Sequence, residues 1–198
     1  MISHKHKIVF VHIPKTGGTS IEHTLGRGDC GNGHSNLKFY KKRLKNFEDY
    51  TTFCVVRNPF DKMISEYFFF KKRHAVFNPI FKDCSFEEFL DLFFSIKDPN
   101  FFKNNHKYWF DGHFETHRAS QLSFIKPEED LDFLVRFEDI QNGYNSVLDH
   151  LGMKRIELPH MNKTTHKHYS QYYNEDTKKI VAEKYAKDIE YFGYKFGE

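Results

Sequence analysis

Cysteine is scarce in this chain. There are three among 198 residues, Cys30, Cys54 and Cys84, and no Cys-x-x-Cys pair. An odd count without paired spacing argues against a disulfide framework and a cysteine zinc site, and it suits a reducing compartment. Long apolar runs are missing as well. No apolar stretch precedes Lys7, so the sequence reads as cytoplasmic and without a secretory leader. No stretch reaches the length of a membrane span, since "YFFFKK" at 67–72 is short and ends in charge. Neither sign of charge dominates. A net charge of +3 is compatible with an anionic ligand but far from the basic footprint of a nucleic-acid binder. Repeats, low-complexity linkers and shifts of composition are also absent, so residues 1–198 read as one domain. What the chain has in excess is aromatic residues, 18% with 23 Phe, which points to a Phe-rich core.

Three continuous apolar runs, "IVFV" at 8–11, "FCVV" at 53–56 and "DFLVRF" at 132–137, read as strands buried on both faces. Each precedes a helix signal. Ser20 to Leu25 forms a short helix stopped by Gly26. Asn58 caps a helix with Pro59 at its first position, and Asp139 caps another. Ser85 and Glu88 stand in capping-box register before an apolar run that Asp98-Pro99 ends, and residues 175–191 form the last helix. Strands alternating with helices predict an α/β class: a single-domain, P-loop-like, three-layer fold with a mainly parallel sheet flanked by helices. Ligands of such sheets bind beyond the carboxyl ends of the strands. The turns after Ile13, Val56 and Phe137 are therefore expected to share one crevice.

The first of these turns is "IPKTGGTS" at 13–20. Gly17 and Gly18 can adopt positive φ and let successive N–H groups point into one concavity. A helix starting near Thr19 adds its positive dipole end. Thr16, Thr19 and Ser20 carry hydroxyls, and Lys15 carries a mobile full charge. Together they predict an anion cradle. An ATP-binding loop would read G-x-x-x-x-G-K-S/T, and that order occurs nowhere in the chain. At the end of the second run Arg57 offers a planar fork suited to a phosphate, just before a helix N-terminus. The other reading of Arg57 is a strand-end salt bridge.

Thirteen histidines are present, so counting selects none as a base. His34, in the Gly-rich "CGNGHSNLKFY", lies between the anion turn and the second strand, where a loop can cover the crevice mouth. An exposed loop histidine is the alternative. His113 and His117 are spaced i, i+4 but lack a third ligand, and read as surface or substrate-groove histidines. Glu22, Glu138 and Asp139 are acidic residues near the crevice ends. Tyr108, Trp109 and Phe110 can stack on a sugar or belong to a core, and "KKR" at 41–43 and 71–73 can line an anionic groove or simply be solvated.

"HIPKTGGTS" resembles the 5′-phosphosulfate loop of sulfotransferases that use 3′-phosphoadenosine 5′-phosphosulfate (PAPS), in the carbohydrate branch with heparan sulfate 2-O- and 6-O-sulfotransferases and short bacterial relatives. "VVRNPFDKMISEY" at 55–67 resembles that family's 3′-phosphate signature, and "LVRFEDI" at 134–140 and the tail at 172–196 resemble its short members. The resemblance assigns Arg57 and Ser65 to the 3′-phosphate. It makes Lys163, Thr164 and Thr165 a loop closing over the cofactor, and matches His34 to the catalytic base. It implies PAPS as cofactor, no required metal, and a carbohydrate acceptor such as a polysaccharide or glycolipid. On that reading His34 takes the acceptor proton while Lys15 and the turn N–H groups hold the phosphosulfate. A P-loop-type kinase and a non-catalytic nucleotide or glycan binder stay open as alternatives.

Overall fold

A computed structural model describes residues 1–26, 34–73, 79–97, 113–126, 131–159, 161 and 166–198. Cys30, the Asp98-Pro99 stop, the 108–110 aromatics and Lys163, Thr164 and Thr165 lie outside these residues, as does the side chain of His113. The chain divides into two compact units, one of Met1–Arg57 with Gln121–Lys163 and one of Asn58–Ser120 with Thr164–Glu198.

The first unit is built on a four-stranded sheet in the order β1 (Ile2–Ser3), β2 (Ile8–Val11), β3 (Thr51–Val56), β4 (Phe133–Arg136). β2, β3 and β4 run parallel, and β1 pairs antiparallel with β2. The chain is therefore α/β with a mainly parallel sheet. β2 is wholly buried and β3 nearly so, as unbroken apolar runs predict. β4 departs from that expectation. It is the last strand in the sheet order, Leu134 is 46% exposed and Arg136 is exposed, so only one face of it is covered. A four-residue apolar run cannot show which strand takes the edge.

Asp132 ties β4 to β3. One carboxylate oxygen accepts from the Thr52 N–H (2.7 Å) and hydroxyl (2.8 Å). Helices α1 (Gly18–Leu25) and α6 (Ile140–His150) contribute Ile21, Leu25, Tyr144, Val147 and Leu148 to one core with Phe10, Phe53, Val55 and Val135 of the strands. Between β2 and β3 lies α2 (Leu37–Arg43), capped by Asn36, whose side chain accepts from the Phe39 N–H. Asp139 does not cap α6 as expected. A one-turn 3₁₀ segment, Phe137–Asp139, leads into the helix, and the Asp139 carboxylate accepts from the Asn142 side chain instead (2.7 Å).

The second unit holds α3 (Pro59–Lys72), α4 (Phe86–Ser95), α5 (His113–Arg118), α7 (Glu175–Lys184) and α8 (Ala186–Phe192). The local signals hold here. The Asn58 side chain accepts from the Phe60 N–H with Pro59 in the first turn, and Ser85 with Glu88 forms a reciprocal capping box. The core is Phe-rich, with Phe60, Phe70, Phe81, Phe89 and Phe93 among its members. The single terminal helix expected over 175–191 is two helices meeting at Tyr185, whose φ and ψ of −115° and 25° leave the helical region. The buried Tyr185 ring holds that break, and its hydroxyl donates to the Arg118 carbonyl (3.0 Å).

His117 is neither a surface nor a groove histidine. It is 3% exposed, and its Nδ1 lies 2.7 Å from the Glu66 carboxylate. Glu66 also receives Lys62 Nζ at 3.2 Å, and Lys62 donates to the His117 carbonyl at 2.7 Å. Burial raises the pKa of the Cys54 thiol in the first unit and, less completely, that of the Cys84 thiol in the second. No helix among the described residues is long and apolar enough to cross a membrane.

Candidate active site

The site begins where β2 ends. Lys15 (φ 65°) and Gly17 (φ 83°) both take left-handed backbone conformations, which folds the chain back sharply before α1. Thr16, expected among the anion donors, gives its hydroxyl proton to the Ile13 carbonyl (2.9 Å) and braces the turn. Gly17 is required by φ and by space, whereas Gly18, expected to share the positive φ, begins the helix without one and is required by space alone. A Cβ on Gly17 would stand 2.8 Å from Ile140 Cδ1, and one on Gly18 would stand 2.1 Å from His12 Cδ2. The N-cap of α1 is Gly17 and no acidic residue stands in the first turn, so no side chain of the cap occupies the leading N–H groups. Thr19 is exposed there. Ser20 is mostly buried, and its hydroxyl oxygen lies 3.4 Å from the Met161 N–H.

Arg57 follows directly on β3. Its Nη1 donates to the Lys15 carbonyl at 2.9 Å, and its guanidinium carbon lies 4.0 Å from the centre of the Phe137 ring. The three turns after β2, β3 and β4 thus meet, because parallel neighbours end on the same side of a sheet. Arg57 is 7% exposed, stacked and hydrogen-bonded.

Its main chain is held by a residue that carried no signal in the sequence. The Gln121 side chain is fully buried. It accepts from the Arg57 N–H (2.9 Å) and donates to the Arg57 carbonyl (2.8 Å), standing in for one rung of a neighbouring strand. Gln121→Leu strands both groups, at about 1–3 kcal/mol each. The expected result is a clear drop in melting temperature together with weaker binding of 3′,5′-diphosphoadenosine, measured by calorimetry.

His34 is the third component. Its Nδ1 lies 2.8 Å from the His12 carbonyl. A carbonyl only accepts, so Nδ1 carries the proton and Nε2 is the basic nitrogen. His12 also went unnoticed in the sequence. Its Nδ1 lies 2.9 Å from Glu22 Oε1, one turn along α1 from Gly18. Lys15, Gly17, Gly18, Thr19, Ser20, His34 and Arg57 all belong to the first unit. Ser65 is buried on α3, in the second.

The model of the sulfotransferase family matches residues 1–195. The chain belongs to the sulfotransferase family. Among solved structures, a sulfotransferase from Alicyclobacillus acidocaldarius matches with a TM-score of 0.41 and 13% identity, over 79% of this chain and 60% of that one. The chain therefore spans about 60% of the length of that enzyme. No curated protein matches.

The sulfotransferase-family turn and Arg57 fit a nucleotide phosphorylated at two positions. A glycine-built cradle with one lysine suits a terminal anionic group. A nearly buried guanidinium, stacked and fixed at its backbone, suits a second.

Proposed function

We propose that this chain is a PAPS-dependent sulfotransferase that moves a sulfuryl group onto a carbohydrate hydroxyl. The observation that supports the reading is the hydrogen bond from Arg57 to the Lys15 main-chain carbonyl, which holds the guanidinium against the β2–α1 turn in a chain of this family. Lys15, the leading N–H groups of α1, Thr19 and Ser20 hold the 5′-phosphosulfate, and Arg57 takes the 3′-phosphate, a role the resemblance extends to Ser65. Lys163, Thr164 and Thr165 complete the nucleotide site on this reading. The bound nucleotide supplies the sulfuryl group, and its 5′-phosphate leaves.

The remaining chemistry is the protein's own. His34 Nε2 receives the proton of the acceptor hydroxyl as that oxygen attacks. Lys15 and the helix terminus stabilise the charge gathering on the departing phosphate, so that no metal is required. The carbohydrate acceptor is supported by the resemblance of the two signatures. It is supported also by the exposed Lys41, Lys42 and Arg43 at the end of α2, a run suited to an anionic glycan.

Thermal-shift measurements against 3′,5′-diphosphoadenosine, ATP, and ATP with magnesium test the nucleotide. Stabilisation by the first and not by the others is expected, and a shift confined to ATP with magnesium points to a kinase. Transfer of labelled sulfate from PAPS to a panel of glycans, with EDTA present, tests the rest. Transfer insensitive to EDTA is expected. Nucleotide binding with no transfer to any glycan would leave a binding protein and defeat the enzymatic reading.

A further inference from the structure

The histidine read as the base is not held alone. His34 meets His12 twice, through the hydrogen bond from Nδ1 to the His12 carbonyl and through an edge-on ring contact with centres 4.5 Å apart. His12 is in turn fixed on three sides. Its ring stacks on Phe10 at 5.5 Å, lies against Gly18 where a Cβ would leave no room, and places Nδ1 2.9 Å from Glu22. Gly18 and Glu22 are four residues apart on α1 and so present one face. Gly18 makes the space for the ring and Glu22 sets its rotation. The His12 and Glu22 side chains are 13% and 29% exposed, which places the pair at the rim of the site rather than deep in the core.

We infer that Glu22 and His12 are positioning residues for His34, so that the acid–base group of this site is the last member of a three-residue chain. This rests on His34 being the base. Anchoring His12 fixes the direction of its carbonyl. That carbonyl keeps the His34 proton on Nδ1 and leaves Nε2 to act. During transfer the acceptor proton moves to His34 Nε2, the oxygen–sulfur bond forms, and the sulfur–phosphate oxygen bond breaks with its electron pair leaving on the phosphate. No proton passes to His12 or Glu22.

The test compares Glu22→Ala with Glu22→Gln, which can still accept from Nδ1–H. In Glu22→Ala, kcat is expected to fall on the order of tenfold, with the KM for PAPS and the affinity for 3′,5′-diphosphoadenosine unchanged. The ¹⁵N spectrum of His34, which needs no acceptor, is expected to change from a single Nδ1–H tautomer to a mixture. Glu22→Gln restores the single tautomer and most of kcat. An unaltered His34 spectrum, or a loss that falls on nucleotide affinity instead of kcat, overturns the inference. His34→Ala separates the two readings. Full activity in that variant removes His34 as the base, whereas an inactive His34→Ala beside a fully active Glu22→Ala removes only the support.

Discussion

Lys15→Ala is expected to fold normally and to transfer sulfate at least a hundredfold more slowly. The side chain is a single charge at the point where β2 turns into α1, beside the glycine cradle and 42 residues away in sequence from its neighbour Arg57. Fixed donors aimed at developing charge are usually the largest catalytic contribution, and removing one raises the barrier by about 3 kcal/mol, more than two powers of ten in rate. The fold loses little, because what Arg57 binds is the Lys15 main-chain carbonyl, which alanine keeps. The left-handed φ of 65° costs alanine about what it costs lysine. Lys15→Gly removes that strain as well as the charge, and is expected to be equally slow. Circular dichroism and thermal melting report the fold, and kcat at saturating PAPS reports the rate. A wild-type rate in either variant rules out the role.

Glu66→Ala is expected to destabilise the protein by about 3–5 kcal/mol, the usual cost of leaving a buried charge uncompensated. Lys62, Glu66 and His117 are 1%, 0% and 3% exposed. Glu66 spans the other two with one oxygen each, at 3.2 Å to Lys62 Nζ and 2.7 Å to His117 Nδ1. Alanine would leave the lysine ammonium with a carbonyl as its remaining partner here, and would take the carboxylate away from Nδ1 of His117, whose ring stacks on Phe69. Urea unfolding measures the loss. Pairing Lys62→Met with Glu66→Gln removes the cation as well as the carboxylate charge, and is expected to recover part of the stability. A loss under about 1 kcal/mol in Glu66→Ala would mean that the cluster is hydrated rather than dry.

The local features were legible before any coordinates. Asn58-Pro59 and Ser85 with Glu88 start helices through bonds that span two or three residues, so the chain itself carries them. β2 and β3 show as unbroken apolar runs because both their faces are covered, and the turn from Ile13 to Ser20 shows because its glycines, lysine and hydroxyls are contiguous. The sequence alone therefore determined the α/β class and the candidate anion turn. Tertiary structure decided what depends on neighbours remote in the chain. It placed β4 at the end of the sheet with Leu134 outward, buried His117 against Glu66 at a separation of 51 residues, and set Gln121 across the backbone of Arg57 at 64. It also joined Glu22, His12 and His34 into one contact series. A glutamine, a histidine or an edge strand has no local pattern of its own. Each takes its role from the partner that folding brings to it, and that partner is fixed by packing rather than by spacing.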